Sequence, residues 1–100
     1  MPNQRKINIR PTMGGPPNAG FDPDELAAKT RDQIFWTNRD KVAHWPGLLN
    51  ADGTINKTFF MPNQLAPQGD TSPIFSPTNP RMFKYACSLH PDEQGVINVT

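Results

Sequence analysis

Cys87 is the only cysteine in the 100-residue chain, and His90 follows it in Cys87-Ser88-Leu89-His90. Glu93 stands three residues further on. The only other histidine, His44, lies far upstream in Trp36-Thr37-Asn38-Arg39-Asp40-Lys41-Val42-Ala43-His44-Trp45-Pro46. A thiolate is a soft ligand, and imidazole binds a transition ion in either oxidation state. Two imidazoles and one thiolate with a weak fourth donor suit copper in a trigonal site. The same residues with Glu93 also make an acceptable tetrahedral zinc set. A Cys-His nucleophile pair is formally available too. No oxyanion loop or third orienting group stands out for it, and His90 shares a loop with Cys87.

These side chains need rigid elements to hold them. Phe83, Tyr85 and Cys87 alternate, as they do along one face of a strand. Ile97 and Val99 alternate again after Gly95. The stretch Met82–Val99 therefore reads as strand, short loop and strand, with Cys87, His90 and Glu93 at the loop. Gln33 to Asn38 reads as a strand with Ile34 and Trp36 facing the core. Asn38-Arg39-Asp40 turns the chain, and Val42 to Trp45 brings His44 to the end of the fold.

The rest of the chain supports this frame. Gln4 to Arg10 alternates, with Ile7 and Ile9 on one face, and reads as a first strand. Pro11 to Gly20 contains Gly14-Gly15-Pro16-Pro17 and reads as a loop. Phe21 to Lys29 is ambiguous. Asp22 before Pro23 suits a helix start, while a strand is the reading we favour. Asn50-Ala51-Asp52-Gly53 is a turn signal. Thr54 to Phe60 reads as a strand or extended run, Met61 to Asp70 as a loop, and Thr71 to Phe75 as a short or edge strand limited by Pro73. Ser76 to Pro80 is a proline-rich turn. The sum is an all-β fold, a Greek-key β-sandwich of about seven or eight strands.

Composition agrees. One hundred residues fit one domain, 1–100. A core of that size is modest, so a bound metal would add stability. Twelve prolines and seven glycines leave little room for long helices. A net charge of +1 gives no basic field for nucleic acid. A lone cysteine excludes an internal disulfide framework. No stretch is long and apolar enough for a membrane span, and the first residues lack the apolar run of a signal peptide.

The two ligand-bearing stretches resemble the cupredoxins, the small type 1 copper proteins. There one His follows a strand carrying a pattern like Trp36-x-Asn38-x-Asp40, and a Cys, a second His and usually a Met come from the last loop. His44, Cys87 and His90 match the first three. Gly95-x-Ile97-x-Val99 agrees with the last strand, and Leu65-Ala66-Pro67 followed by Gly69 resembles a family turn. Phe21 to Lys29 resembles a family segment that is a strand, with Ala28 and Arg31 departing from its pattern. The resemblance runs from about Phe21 to Thr100. Short-loop members have Cys-x2-His-x2-Met, and here Glu93 holds the Met position.

The resemblance implies one copper per chain, cycling between Cu(II) and Cu(I), held by His44, Cys87, His90 and Glu93. It implies a one-electron carrier, not an enzyme, although an open copper site would allow small-molecule redox chemistry. A carboxylate beside copper favours Cu(II), so the potential should fall and the colour should move from blue towards green or red. Gln94, water, a backbone carbonyl or an empty axial position are the competitors of Glu93. Electrons would pass through His90, with Leu89, Pro91, Pro46 and Trp45 ringing it for a redox partner. Met82 and Trp45 are expected to pack or cover surface, and Asn38 and Asp40 to brace the His44 loop. The family usually works outside the cytoplasm, so a periplasmic or secreted monomer, cleaved from its export signal, is expected. The alternative is a red-copper or zinc-type site with a structural, metal-handling or small-molecule redox role.

Overall fold

The computed structural model describes residues 3–10 and 20–100. Residues 11–19, most of the stretch read as the Pro11–Gly20 loop, lie outside them. The described residues form eight strands and no helix: β1 (Gln4–Ile9), β2 (Phe21–Asp22), β3 (Glu25–Ala28), β4 (Gln33–Asn38), β5 (Pro46–Leu49), β6 (Ile55–Asn56), β7 (Arg81–Cys87) and β8 (Gln94–Val99). One sheet has the order β2-β1-β4, and the other β3-β8-β7-β5-β6. β1 runs parallel to β4, and β3 parallel to β8. The remaining pairs are antiparallel.

Alternation places the core. Ile7 and Ile9 of β1, Ile34 and Trp36 of β4, Phe83, Tyr85 and Cys87 of β7, and Ile97 and Val99 of β8 are all buried between the sheets. Each large apolar side chain so enclosed contributes about 1.5–3 kcal/mol relative to exposure. Trp36 meets Tyr85 edge-on at 5.4 Å between ring centroids, and Phe21 meets Tyr85 at 4.8 Å. These contacts pin the middle of β7, two residues before the cysteine.

The ambiguous stretch after Gly20 is strand, but in two pieces. β2 pairs with β1 in one sheet, and β3 pairs with β8 in the other. Leu26 and Ala28 are buried while Glu25 and Ala27 are exposed, a period of two that no helix face would give. Arg31, where the family pattern has a turn glycine, takes a left-handed φ of 72°, and its N–H donates to Pro77 O at 2.7 Å.

Two readings need correction. Thr54 to Phe60 is not one strand: only Ile55 and Asn56 pair, with Leu49 and Leu48. The chain then turns, with Phe59 N–H donating to Asn56 O, and sends Phe60 and Met61 into the core. Burial of those two side chains outweighs further pairing. Thr71 to Phe75 forms no strand and touches β4 through two isolated bridges, Thr37 to Thr71 and Ile34 to Phe75. Pro73, which has no N–H, sits between them. Conversely, Pro46 to Leu49 is a strand that the composition hid. Pro46 is its first residue, where a missing donor is tolerated, and it lies opposite Cys87.

Candidate metal centre

Cys87 ends β7, and β8 resumes at Gln94. The residues between close on themselves through the main chain. His90 N–H donates to Cys87 O at 3.2 Å, Glu93 N–H to His90 O at 2.9 Å, and Cys87 N–H to Glu93 O at 3.0 Å. These bonds fold three chemistry-bearing side chains into one tight loop.

His44 arrives from the connection between β4 and β5. That connection is held by Asn38, whose Oδ1 accepts from Asp40 N–H at 3.0 Å in the manner of an Asx turn. Its Nδ2 is shared among the carbonyls of Val42, Leu65 and Ala66 at 2.9, 3.3 and 3.1 Å. His44 and Leu65 exchange both backbone bonds. The imidazole is fully buried. Its Nε2 lies 2.8 Å from Asp40 Oδ2, and Asp40 itself is only 5% exposed. The expected bracing by Asn38 is therefore present. Asp40 does more than brace backbone, since it bonds to the ring itself.

The loop and the connection meet at the sulfur. Cys87 Sγ lies 3.5 Å from His44 Nδ1 and 3.5 Å from His90 Nδ1. Glu93 Oε1 lies 3.2 Å from His44 Nδ1. One ligand atom from each of His44, Cys87, His90 and Glu93 lies within 4.8 Å of the other three. All four predicted residues are thus brought together. Glu93 is buried, and its Oε1 has no hydrogen-bond partner, so the 3.2 Å approach is a contact of charge alone. A buried carboxylate oxygen without a donor is costly unless something positive answers it. Two imidazole nitrogens, a thiolate and a carboxylate that converge in this way fit a metal ion.

Gln94, the competitor of Glu93, is exposed, and its Nε2 donates outward to Pro91 O at 3.4 Å. Met61 is buried in the core cluster, and Met82 is 52% exposed on the surface. Trp45 packs against the core, with Lys57 Nζ 5.0 Å above its ring. Its backbone N–H donates to Cys87 Sγ at 3.3 Å. His90 is half-buried, with Leu89 and Pro91 exposed beside it. Pro46, expected in that surface ring, is buried instead, because it pairs with Cys87 inside the sheet.

The metal-free site is strongly polarised. Burial pushes the His44 imidazolium down, but hydrogen bonds to Cys87 and Asp40 and the charges of Cys87 and Glu93 outweigh it and raise the pKa to about 9. Burial likewise pushes the Cys87 thiol up. Hydrogen bonds with His44, Trp45 N–H and His90 reverse that and bring it down to about 7. Thiolate, the form that ligates, is therefore within easy reach at neutral pH.

Sequence reasoning missed the direct Asp40–His44 bond, although the four-residue spacing was in view. It also missed Gly20, which packs against Glu93. Nothing local to Gly20 signals that contact.

No protein-family model matches the chain, and no curated protein matches it. Solved structures do. A purple cupredoxin from Nitrosopumilus maritimus superposes with a TM-score of 0.80 at 25% identity, over 95% of this chain and 98% of that one. A reduced amicyanin variant gives 0.68 at 18% identity, covering 95% and 80%. A copper-containing nitrite reductase from Thermus scotoductus SA-01 gives 0.71 at 19% identity, over all of this chain but 22% of that one. The last two likenesses are of fold alone.

Proposed function

We propose, on the premise that this chain is a cupredoxin in fold, that it binds one copper ion and carries single electrons. The observation that carries the reading is the convergence of His44, Cys87, His90 and Glu93 within 4.8 Å, on elements that the fold holds rigid. The similarity to a purple cupredoxin over nearly the whole of both chains supports it. We read all 100 residues as one cupredoxin-like domain.

Bound copper supplies the one-electron Cu(II)/Cu(I) couple. Cys87 offers the soft thiolate, and Trp45 N–H and the two imidazoles favour its deprotonated form. His44 and His90 each turn Nδ1 towards the sulfur. Glu93 places a buried negative charge at the fourth position, which favours the more positive oxidation state. Its burial without a donor suits a ligand better than a solvated side chain. The closed loop and the Asn38 clasp keep all four groups in place, so little rearrangement accompanies a change of charge.

His90, half-buried between exposed Leu89 and Pro91, is the exit for the electron. A redox partner protein docks there. The net charge of +1 gives little long-range steering, so encounters are brief and mainly apolar. No described helix is long and apolar enough to cross a membrane. The reading places the protein outside the cytoplasm, periplasmic or secreted, as a monomer without substrate turnover.

Titrating the metal-free protein with Cu(II) tests this, followed by visible absorption and EPR. An intense thiolate-to-copper band that saturates at one copper per chain is expected. Weak d–d absorption alone would overturn copper ligation by Cys87 and direct attention to zinc.

A further inference from the structure

His44 sits between two carboxylates. Glu93 approaches its Nδ1 at 3.2 Å and Asp40 its Nε2 at 2.8 Å. Only the Glu93 side faces the thiol of Cys87. Asp40 lies on the far side of the ring, too far round the imidazole to share the ion that Nδ1 would hold.

We propose that Asp40 is a positioning residue of the copper site, which fixes His44 as the Nε2–H tautomer and adds a charge that stabilises the oxidised ion. The inference rests on the copper reading above and goes beyond it, because Asp40 is not a ligand. An ionised carboxylate only accepts hydrogen bonds. With Asp40 Oδ2 at 2.8 Å, Nε2 must carry the hydrogen, and Nδ1 keeps its lone pair for metal. The two side chains are 8% and 0% exposed, so water hardly competes for this bond or screens its charge.

The carboxylate is itself held. Its Oδ1 accepts from Lys41 N–H at 2.7 Å, and its backbone is tied by N–H donation to Asn38 Oδ1 and by acceptance from Gln68 N–H at 2.9 Å. The chain is not helical here, so the four-residue spacing of Asp40 and His44 arises from this clasp.

His90 is arranged differently. Its Nδ1 faces Cys87, but among the described residues no carboxylate stands behind its ring. The buried imidazole is therefore buttressed and charged from behind, while the half-exposed one is left open to a partner. A carboxylate bonded to a ligating imidazole strengthens that ligand, and losing such a partner costs about 10- to 100-fold in metal affinity in known sites.

The test compares copper-loaded wild type with Asp40→Asn and Asp40→Glu. Asparagine can still accept from Nε2–H but carries no charge. The expected result for Asp40→Asn is a retained thiolate-to-copper band, a loss of about tenfold or more in Cu(II) affinity, and a shift of about tenfold in the Cu(II)/Cu(I) ratio towards Cu(I). That shift corresponds to a potential raised by about 59 mV for one electron. Asp40→Glu, which keeps the charge, should return the potential towards wild type. A merely structural role would not separate the two by charge.

An unchanged potential in Asp40→Asn with the band intact would overturn the inference and leave the copper reading standing. Equal shifts in both variants would do the same. If neither variant folds, proton NMR of the Cu(I)-loaded wild type decides. A slowly exchanging His44 Nε2–H supports the inference, and metal at Nε2 or a freely exchanging proton overturns it. A wild-type chain that takes up no copper overturns both readings.

Discussion

Nothing but hydrogen separates Gly20 from Glu93: a methyl group at Gly20 would stand 3.0 Å from both Cδ and Oε1 of that carboxylate. The glycine shapes the wall of the metal centre from just before β2, a strand with no ligand on it. Gly20→Ala should displace Glu93 by a few tenths of an ångström without changing any donor. The charge-transfer maximum and the EPR rhombicity of the copper form are expected to shift, with one copper per chain retained. A spectrum identical to wild type would mean that Glu93 does not touch the ion.

Substitution of Glu93 itself gives a larger effect. Glu93→Gln removes one buried negative charge and Glu93→Met supplies a thioether. Both should raise the potential by roughly 60 mV or more, a tenfold change in the one-electron equilibrium. The methionine variant should also move towards blue. Protein-film voltammetry and visible spectra measure both, and unchanged values would remove Glu93 from the ligand set.

Cys87→Ser replaces the soft donor with a hard, protonated one. The intense visible band should vanish completely. Binding of Zn(II) by the remaining His44, His90 and Glu93 should persist with affinity reduced by an order of magnitude or more, as competition with a chromophoric chelator would show. Persistence of the band would assign it to something other than the thiolate.

Metal uptake should depend steeply on pH. In the metal-free chain His44 is protonated up to about pH 9, and Cys87 is protonated below about 7. A metal must displace those protons. Between pH 7 and 9 one proton leaves, so affinity should rise by about tenfold per pH unit as pH increases. Below pH 7 both leave, and the slope should approach about a hundredfold per unit. Calorimetric titration in buffers of different ionisation enthalpy counts the released protons directly.

Gly95 tests the frame instead of the centre. A Cβ there would fall 2.5 Å from the Cζ and Oη of Tyr85, its cross-strand neighbour. Tyr85 is locked between Phe21, Trp36 and Phe60 and has no room to retreat. Gly95→Ala should destabilise the fold by about 1–3 kcal/mol or more, as overpacking does. Urea unfolding of the metal-free protein is the measurement.

Much of this was legible in the sequence because the signals are local. Alternation in β1, β4, β7 and β8 follows from side chains buried on one face only. Three of the four candidate ligands could be named because the chain has so few cysteines and histidines to choose from, and Glu93 because it stands three residues after His90, where the family loop has Met. What escaped were features decided at a distance. Phe60, read as the end of a strand, and Met61, read as loop, both turn into a core built by other elements. Pro46 looked like a surface residue and is instead a sheet residue, because Cys87 lies across from it. Asp40 reads as a turn residue that braces the backbone of the His44 loop. Only the folded connection turns its carboxylate onto the ring of His44.

The hydrogen bond from Trp45 to Cys87 Sγ comes from the main chain, and Ser88 N–H answers it by donating to Trp45 O at 2.8 Å. Short of a proline, no replacement of the tryptophan side chain removes that donor. The sulfur's surroundings are in this sense inherited from the path of the backbone, and sequences can drift widely without disturbing them. The carboxylates and the glycine wall have no such protection. Variation in colour and potential among chains of this shape is therefore open at positions 20, 40 and 93, while the sulfur's own hydrogen bond stays the same.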